Sequence, residues 1–377
     1  MRALVLAAAL LAARTAAADS SVKRPPTIAG ATIDVKDRRV VAIRGGVRAP
    51  LSTEYAEELR GVEIGGGKAH VTFEGDDCGE RALDLSAAQI DARLVNAAAL
   101  VLHRKKKFAE AEGGFRKALA LDGEFELAAT NLASAQLAQG RRDQALATLA
   151  PFFARHPLAV YARVVGDAEL APLADDPAFA PVKAATPGTA RVAGLREPAV
   201  SGTRLALIHS ESGWLSCASN VSLRLYDTAA GGAPILVMPL ELVGEQTGGG
   251  DLEHCAIKRE LRKTHAARAA AADRVLADLG FTPAADVESA PVMHGDDRSI
   301  GKARLARFGV VLSDVGRVVR GDRVLATFST GLGAAAGSLE WLPSLSTLIL
   351  SEHSKSEGCA IAAHSLEVIR IELPADR

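Results

Sequence analysis

The side chains with the widest chemical reach in this chain are its four cysteines and nine histidines. Two segments that carry them echo one another. LALIHSESGWLSCASNVSLRLY and TLILSEHSKSEGCAIAAHSLEVIRI both run strand, polar loop, Cys-Ala, loop, strand. The first places His209 and Glu211 ahead of Cys217; the second places Glu352, His353 and Glu357 ahead of Cys359, with His364 beyond it and His254 and Cys255 between the copies. Imidazole, thiolate and carboxylate are the ligands that zinc and copper take, so one chemistry open to these loops is metal binding or metal-dependent catalysis. Their spacing fits no compact ligand signature, and no metal or cofactor is assigned from it. In an oxidising compartment cysteines pair with one another. Cys217, Cys255 and Cys359 fall in one strand-rich stretch, so a disulfide from Cys217 to Cys255 or Cys359 is expected, with Cys78 the remaining candidate. A bridge closing the 217–255 loop would stabilise by about 4 kcal/mol in the chain-entropy picture.

Other chemistry is thinly represented. There is no GxSxG elbow and no HExxH helix. Ser299 and Lys302 have Ser-x-x-Lys spacing, but they follow the acidic loop HGDDR without a helix to put them on one face. The glycine run before Lys68 lacks a phosphate loop's spacing, and Ala69 stands where a magnesium-holding hydroxyl would be. Asp296 and Asp297 read as a solvated turn, and His265 as a boundary histidine on an apolar helical stripe. No catalytic residue is assigned, and the chain reads as a non-enzyme.

The elements that must position these groups follow a leader. Arg2, the apolar run ALVLAAALLAA and the small residues Ala16 and Ala18 form a signal-peptide pattern over residues 1–18, with a mature start near Asp19. The expected location is therefore periplasmic or extracellular, with no membrane span in the mature chain. Removing Arg2 and Arg14 moves the formal charge from -1 to -3, and charge is spread evenly, which argues against nucleic acid as a partner. Aromatics make up 4% of residues, so the cores must be built from Ala, Val and Leu. Residues 19–85 read as a β segment in which RVVAIR, GVEI and HVTFE are separated by glycine turns.

From Ser86, a plausible N-cap, the period changes to that of helices, with breaks at 105–107, 122–123 and 140. Ala99, Ala111 and Ala118 are small residues at helical spacing, and Ala133 and Ala145 repeat the first two 34 residues later. Leu102, Phe108, Phe115, Leu132, Leu146 and Leu149 surround them. This stretch resembles the tetratricopeptide repeat family: LVNAAALVLHRKKKFAEAEGGFRKALALD matches one repeat, and LAATNLASAQLAQGRRDQALATLAPFFARHP a second. Gln136 and Arg142 depart from the family's apolar positions, and Pro151 is expected to kink or shorten the last helix. DAELAPLADDPAFAPV is similar to the degenerate segment that closes such arrays, with Leu170, Leu173, Pro177 and Phe179 as its cover.

The resemblance implies a concave groove that holds a protein or peptide partner. The family's carboxylate clamp is matched only by Asn131, since Asn96, Leu100, Tyr161 and Val165 depart from it. His103, Thr130, Asn131 and Ser134 are the candidate groove residues. Arg104 to Lys107 form a basic run that could face an acidic partner or the negative end of their own helix.

After TPGTARVAG the sequence turns to strands, with one helix expected at 257–279, where Leu261, His265, Ala272, Val275, Leu276 and Leu279 share a face before Gly280. The fold expected is α+β: a helical hairpin array of two repeats and a cap over 86–187, between the 19–85 β segment and an antiparallel β-rich domain over 188–377 with a duplicated hairpin. The function expected is an exported adaptor, and the alternative is a metal-binding protein or metal-dependent envelope enzyme using the His/Cys loops.

Overall fold

A computed structural model describes residues 27–36, 39–52, 56, 58–74, 80–195, 198–213, 219–230, 233–240, 257–285, 287–292, 303–305, 309–312, 317–327, 334–355 and 361–370. The leader and all four cysteines lie outside these residues, as do Ser299, Lys302, Asp296 and Asp297. The molecule mixes helices with antiparallel sheets, as an α+β reading requires.

The N-terminal segment forms two sheets rather than one. β1 (Thr27–Ile28), β2 (Ala31–Lys36), β3 (Arg39–Arg44) and β4 (Val47–Pro50) make a meander, and β5 (Glu58–Gly65), β6 (Lys68–Glu74) and β7 (Glu80–Ser86) a second. Period-two alternation is clearest in β6, where Ala69, Val71 and Phe73 are buried and the residues between them are not. Both sheets share a core with Ile90 and Leu94 of the first helix. Gly66 and Gly67, with φ of +58° and +74°, form the tight turn between β5 and β6. Two consecutive left-handed residues suit the right-handed twist of a hairpin, which accounts for the glycine run beside Lys68 without a nucleotide.

Ser86 is where sheet becomes helix. Its hydroxyl accepts from the Gln89 amide at 3.1 Å, and the Gln89 side chain accepts from the Ser86 amide at 2.9 Å, a reciprocal capping box. Helix α1 (Ala87–Arg104) is followed by α2 (Phe108–Leu121), α3 (Glu126–Leu137), α4 (Arg142–Arg155) and α5 (Pro157–Gly166). Each packs on its neighbour through a short connection.

Close approach is enforced by small residues. A Cβ on Gly114 would lie 2.6 Å from the Ala99 Cβ, so α1 and α2 cross where neither can grow. Ala111, Ala118, Ala133 and Ala145 have no exposure, and Phe115, Leu132 and Leu149 fill the space around them. Buried Gln136 is accommodated because its side-chain oxygen accepts from Thr148 of α4 at 2.9 Å. Pro151 does not shorten α4, which continues to Arg155 before Pro157 opens α5.

A charged knot ties the first two helices to the next pair. Glu112 of α2 is buried and bonded by Arg141 through both carboxylate oxygens, by Arg116 at 2.8 Å and by Gln139 at 3.2 Å. Arg141 above all, then Arg116 and Gln139, holds the Glu112 carboxyl down at about 2 against the cost of burial.

Beyond α5 the chain makes 3-10 turns at Ala171–Leu173 and Pro177–Val182, which bury Leu170, Leu173 and Phe179 while Pro177 stays exposed. Helix α6 (Ile257–Asp278), far along the chain, also packs against α5. Tyr161 of α5 donates to Asp278, Arg274 bonds Asp278 at 3.3 Å and Asp175 at 2.6 Å, and burial together with Asp278 raises the Tyr161 phenol. α6 ends as a glycine stop demands. Phe281 N–H reaches the Leu276 carbonyl at 2.9 Å and Gly280 N–H, at φ +77°, the Ala277 carbonyl at 3.0 Å. The Pro and Gly joint then covers that end: Ala184 donates to the Asp278 carbonyl and Gly188 to the Ala277 carbonyl, each at 2.7 Å.

In the C-terminal part, β8 (Ala199–Ser201), β9 (Arg204–Gly213), β10 (Ser219–Asp227), β11 (Leu236–Pro239), β12 (Thr282–Pro283), β13 (Glu288–Val292), β18 (Ala334–Leu342), β19 (Thr347–Lys355) and β20 (Ile361–Arg370) form one antiparallel sheet. Its main path runs β11-β10-β9-β20-β19-β18-β13. The two echoed segments are the β9–β10 and β19–β20 hairpins, side by side through β9 and β20. A separate small sheet holds β14 (Ala303–Leu305), β15 (Val310–Leu312), β16 (Arg317–Arg320) and β17 (Arg323–Thr327). One hydrophobic core runs without interruption from Ala129 and Ala133 of α3 through Tyr161 and Phe179 to Leu223 of β10 and Leu276 of α6.

Candidate functional site

Two stripes at helical spacing face one another across α1 and α3: Asn96, Leu100 and His103 on the first, Leu127, Asn131 and Ser134 on the second. Asn131 donates from Nδ2 to Asn96 Oδ1 at 2.9 Å. One turn along, Ser134 Oγ lies 3.4 Å from His103 Nε2 and its hydroxyl bonds the carboxylate of Glu169, just after α5. His103 Nε2 is itself 3.5 Å from Glu169 Oε2. The ring is fixed from behind by Phe108, edge-on at a centroid separation of 5.0 Å, and by Phe115 at 6.2 Å. The result is a polar ladder of two rungs across three successive helical units, its inner members buried and its rim open. Leu127 and Glu169 are exposed at that rim, and Asn131 is half-buried.

Three of the four expected groove residues, His103, Asn131 and Ser134, come together here. Thr130 does not join them. It is 1% exposed, and its hydroxyl donates to the Leu127 carbonyl in its own helix at 3.0 Å. Asn96 and Glu169 were missed as site residues. The signal that could have found them is an interval: Asn96 to Asn131 and Ser134 to Glu169 are both steps of 35 residues, one more than the spacing of the small residues. The basic run lies at the end of the same α1 stripe; Lys107 pairs with Glu110 at 3.0 Å, and Arg104, Lys105 and Lys106 are exposed.

Serine, histidine and glutamate in contact invite comparison with a hydrolytic relay, and the geometry does not make one. Such a relay needs the acid on one ring nitrogen and the hydroxyl on the other. Here both face Nε2. Ser134 also lies inside α3, where neighbouring backbone N–H groups are committed to the helix and none points at a developing oxyanion.

Among the described residues no three His, Cys, Asp or Glu side chains gather as a metal site would require. His209 is buried on β9, opposite Ser222. Of Glu211, Glu352, His353 and His364 the backbone alone is described, and His254, Glu357 and the cysteines lie outside the described residues. The strands still decide one point about these loops. Gly213, the last residue of β9, pairs with Ile361, the first of β20, so the described residues nearest in sequence to Cys217 and Cys359 on that side are neighbours on adjacent strands. His353 and His364 are directly opposite in the β19–β20 register.

No known protein family, curated protein or solved structure matches this chain. No helix among the described residues is long and apolar enough to cross a membrane.

Proposed function

We propose that this protein is an exported, non-catalytic interaction scaffold that holds a protein or peptide partner against the α1–α3 face, with Leu127, Asn131 and Glu169 as its rim. The observation that carries the reading is the recurrence of one inter-unit contact, amide to amide and then hydroxyl to carboxylate, at the same 35-residue step. A contact repeated unit after unit is how a tetratricopeptide-like array builds a continuous surface from short helical hairpins. Ladder members already bonded to one another pre-organise that surface, which lowers the entropy lost when a partner is bound.

The test is capture from an envelope extract with the mature chain as bait, beside Asn131→Ala and Leu127→Asp. Leu127 is 41% exposed, so its replacement alters the face and spares the core. A partner held by the wild type and lost by both variants supports the scaffold; one held equally by all three removes the face from it.

A second reading, metal binding by the His/Cys loops, draws support from the pairing of Gly213 with Ile361 and from the His353–His364 register. Stoichiometric zinc or copper in protein purified without chelator, lost in Cys359→Ser and in His353→Ala, would favour it over the scaffold.

A further inference from the structure

Two small sheets at opposite ends of the sequence carry solvent faces that match each other in relief and in charge. On β5–β6–β7 the outward side chains fall into rows that cross all three strands in register. Glu58, Glu74 and Glu80 form one row, and Glu63, His70 and Asp84 another. Between them runs Gly61–Thr72–Ala82, a row of short side chains. The face is thus a low trough between two acidic walls. Arg60 offsets part of one wall by bonding Glu58 at 3.0 Å and also Glu74, and His70 offsets part of the other by pairing with Asp84 at 2.8 Å, while Glu63 and Glu80 are exposed and form no ion pair with Lys or Arg among the described residues.

The β14–β17 sheet is the reverse. Its inner face buries Leu305, Leu312 and Val318. Its outer face carries Arg304, Val311, Val319 and Val324 directly opposite one another across all four strands. Val311 is 37% exposed and Val324 50%, so the row stands out as an apolar ridge. Arg304 ends it, and the exposed Arg317 and Arg323 border it. Residues 301–327 hold six Lys or Arg against two Asp, in a chain whose total formal charge is -1. Arg304 and Arg323 meet no carboxylate among the described residues.

We propose that the β14–β17 face of one molecule docks on the β5–β7 face of a second copy, head to tail. Neighbouring strands in any sheet are about 4.8 Å apart, so three valines on three adjacent strands are commensurate with three small residues on three adjacent strands. With the ridge seated in the trough, the bordering arginines meet the acidic walls. Each molecule carries one face of each kind, so the contact is heterologous and propagates into rings or filaments instead of stopping at a dimer. Faces this small give a weak, electrostatically driven association. The inference is independent of the helical face and of the scaffold reading.

Sedimentation velocity of the full mature chain tests it at ionic strengths of about 0.01 M and about 1 M, where charges are screened over about 30 Å and about 3 Å. The expected result is a concentration-dependent rise in sedimentation coefficient at low salt that is lost at high salt. Two charge-reversed variants decide the interface: Arg304→Glu with Arg323→Glu, and Glu63→Lys with Glu80→Lys. All four positions are exposed, so the fold is spared. Each variant alone should stay monomeric, and an equimolar mixture should associate again, because one now carries two acidic faces and the other two basic ones. A monomeric wild type at low salt overturns the proposal. So does association that survives both reversals, or a mixture that stays monomeric. Binding of vesicles rich in anionic lipid, lost in Arg304→Glu with Arg323→Glu while the wild type remains monomeric, would assign the basic face to membranes and equally overturn it.

Discussion

Glu112 shows how much one buried charge can organise. Both Arg116 and Arg141 bond it, and it joins α2 to the turn between α3 and α4. Because its folded pKa is about 2 against an ordinary 4.5, its contribution to stability is complete above about pH 4.5 and is lost as the pH falls toward 2. Glu112→Gln should remove that acid-limb dependence and lower stability at neutral pH by about 1–2 kcal/mol, a figure held down by the solvent exposure of both arginines. Urea unfolding from pH 2 to pH 7 would show it as a flattened profile; a variant as pH-sensitive as the wild type would locate the acid dependence elsewhere. The residue was readable in the sequence only as a charge on a helix. Arg116 is its local i,i+4 neighbour, but Arg141 and Gln139, which come from beyond α3, lie at a distance no local pattern reports.

At the scale of elements, the echoed hairpins are the clearest case of a pattern that could be read and a consequence that could not. Both hairpins follow from alternating apolar residues and polar loops, and both form. That they lie side by side, with Gly213 of one paired to Ile361 of the other, is a property of the sheet order. Gly213 and Ile361 pair on adjacent antiparallel strands, with Cα atoms about 5 Å apart, and on that ground a Cys217–Cys359 bridge is the pairing we predict. Mapping a non-reduced digest should return a 217–359 peptide pair. A 217–255 pair, or four free thiols under denaturing conditions, would contradict it. Helix α6 tells a similar story: its apolar stripe and glycine stop were visible, but its place against α5 was not.

For the whole molecule, the joint at residues 184–190 is the point on which two halves depend. A Cβ on Gly188 would lie 2.1 Å from the Phe281 carbonyl oxygen, where only backbone fits. The core crosses this joint without a gap. The wild type should therefore unfold over residues 86–281 as one cooperative unit. Gly188→Val should lift the joint from the end of α6 and split a single calorimetric transition into two. One transition in both proteins would mean that the core, not the joint, carries the coupling.

The sequence by itself determined the parts: strand and helix periods, the Ser86 cap, the glycine turn at 66–67, the stop at Gly280 and the small residues that let helices cross. Each depends on neighbours within a few positions, where backbone preference and side-chain size act directly. Only the tertiary structure decided which parts meet. It turned Thr130 inward, brought Glu169 to Ser134, set α6 on α5 and stood a valine ridge among arginines on one small sheet while acidic rows flanked a trough on another. Those outcomes follow from burying apolar area shared between distant segments, and that energy belongs to pairs of elements, so no single stretch of sequence contains it.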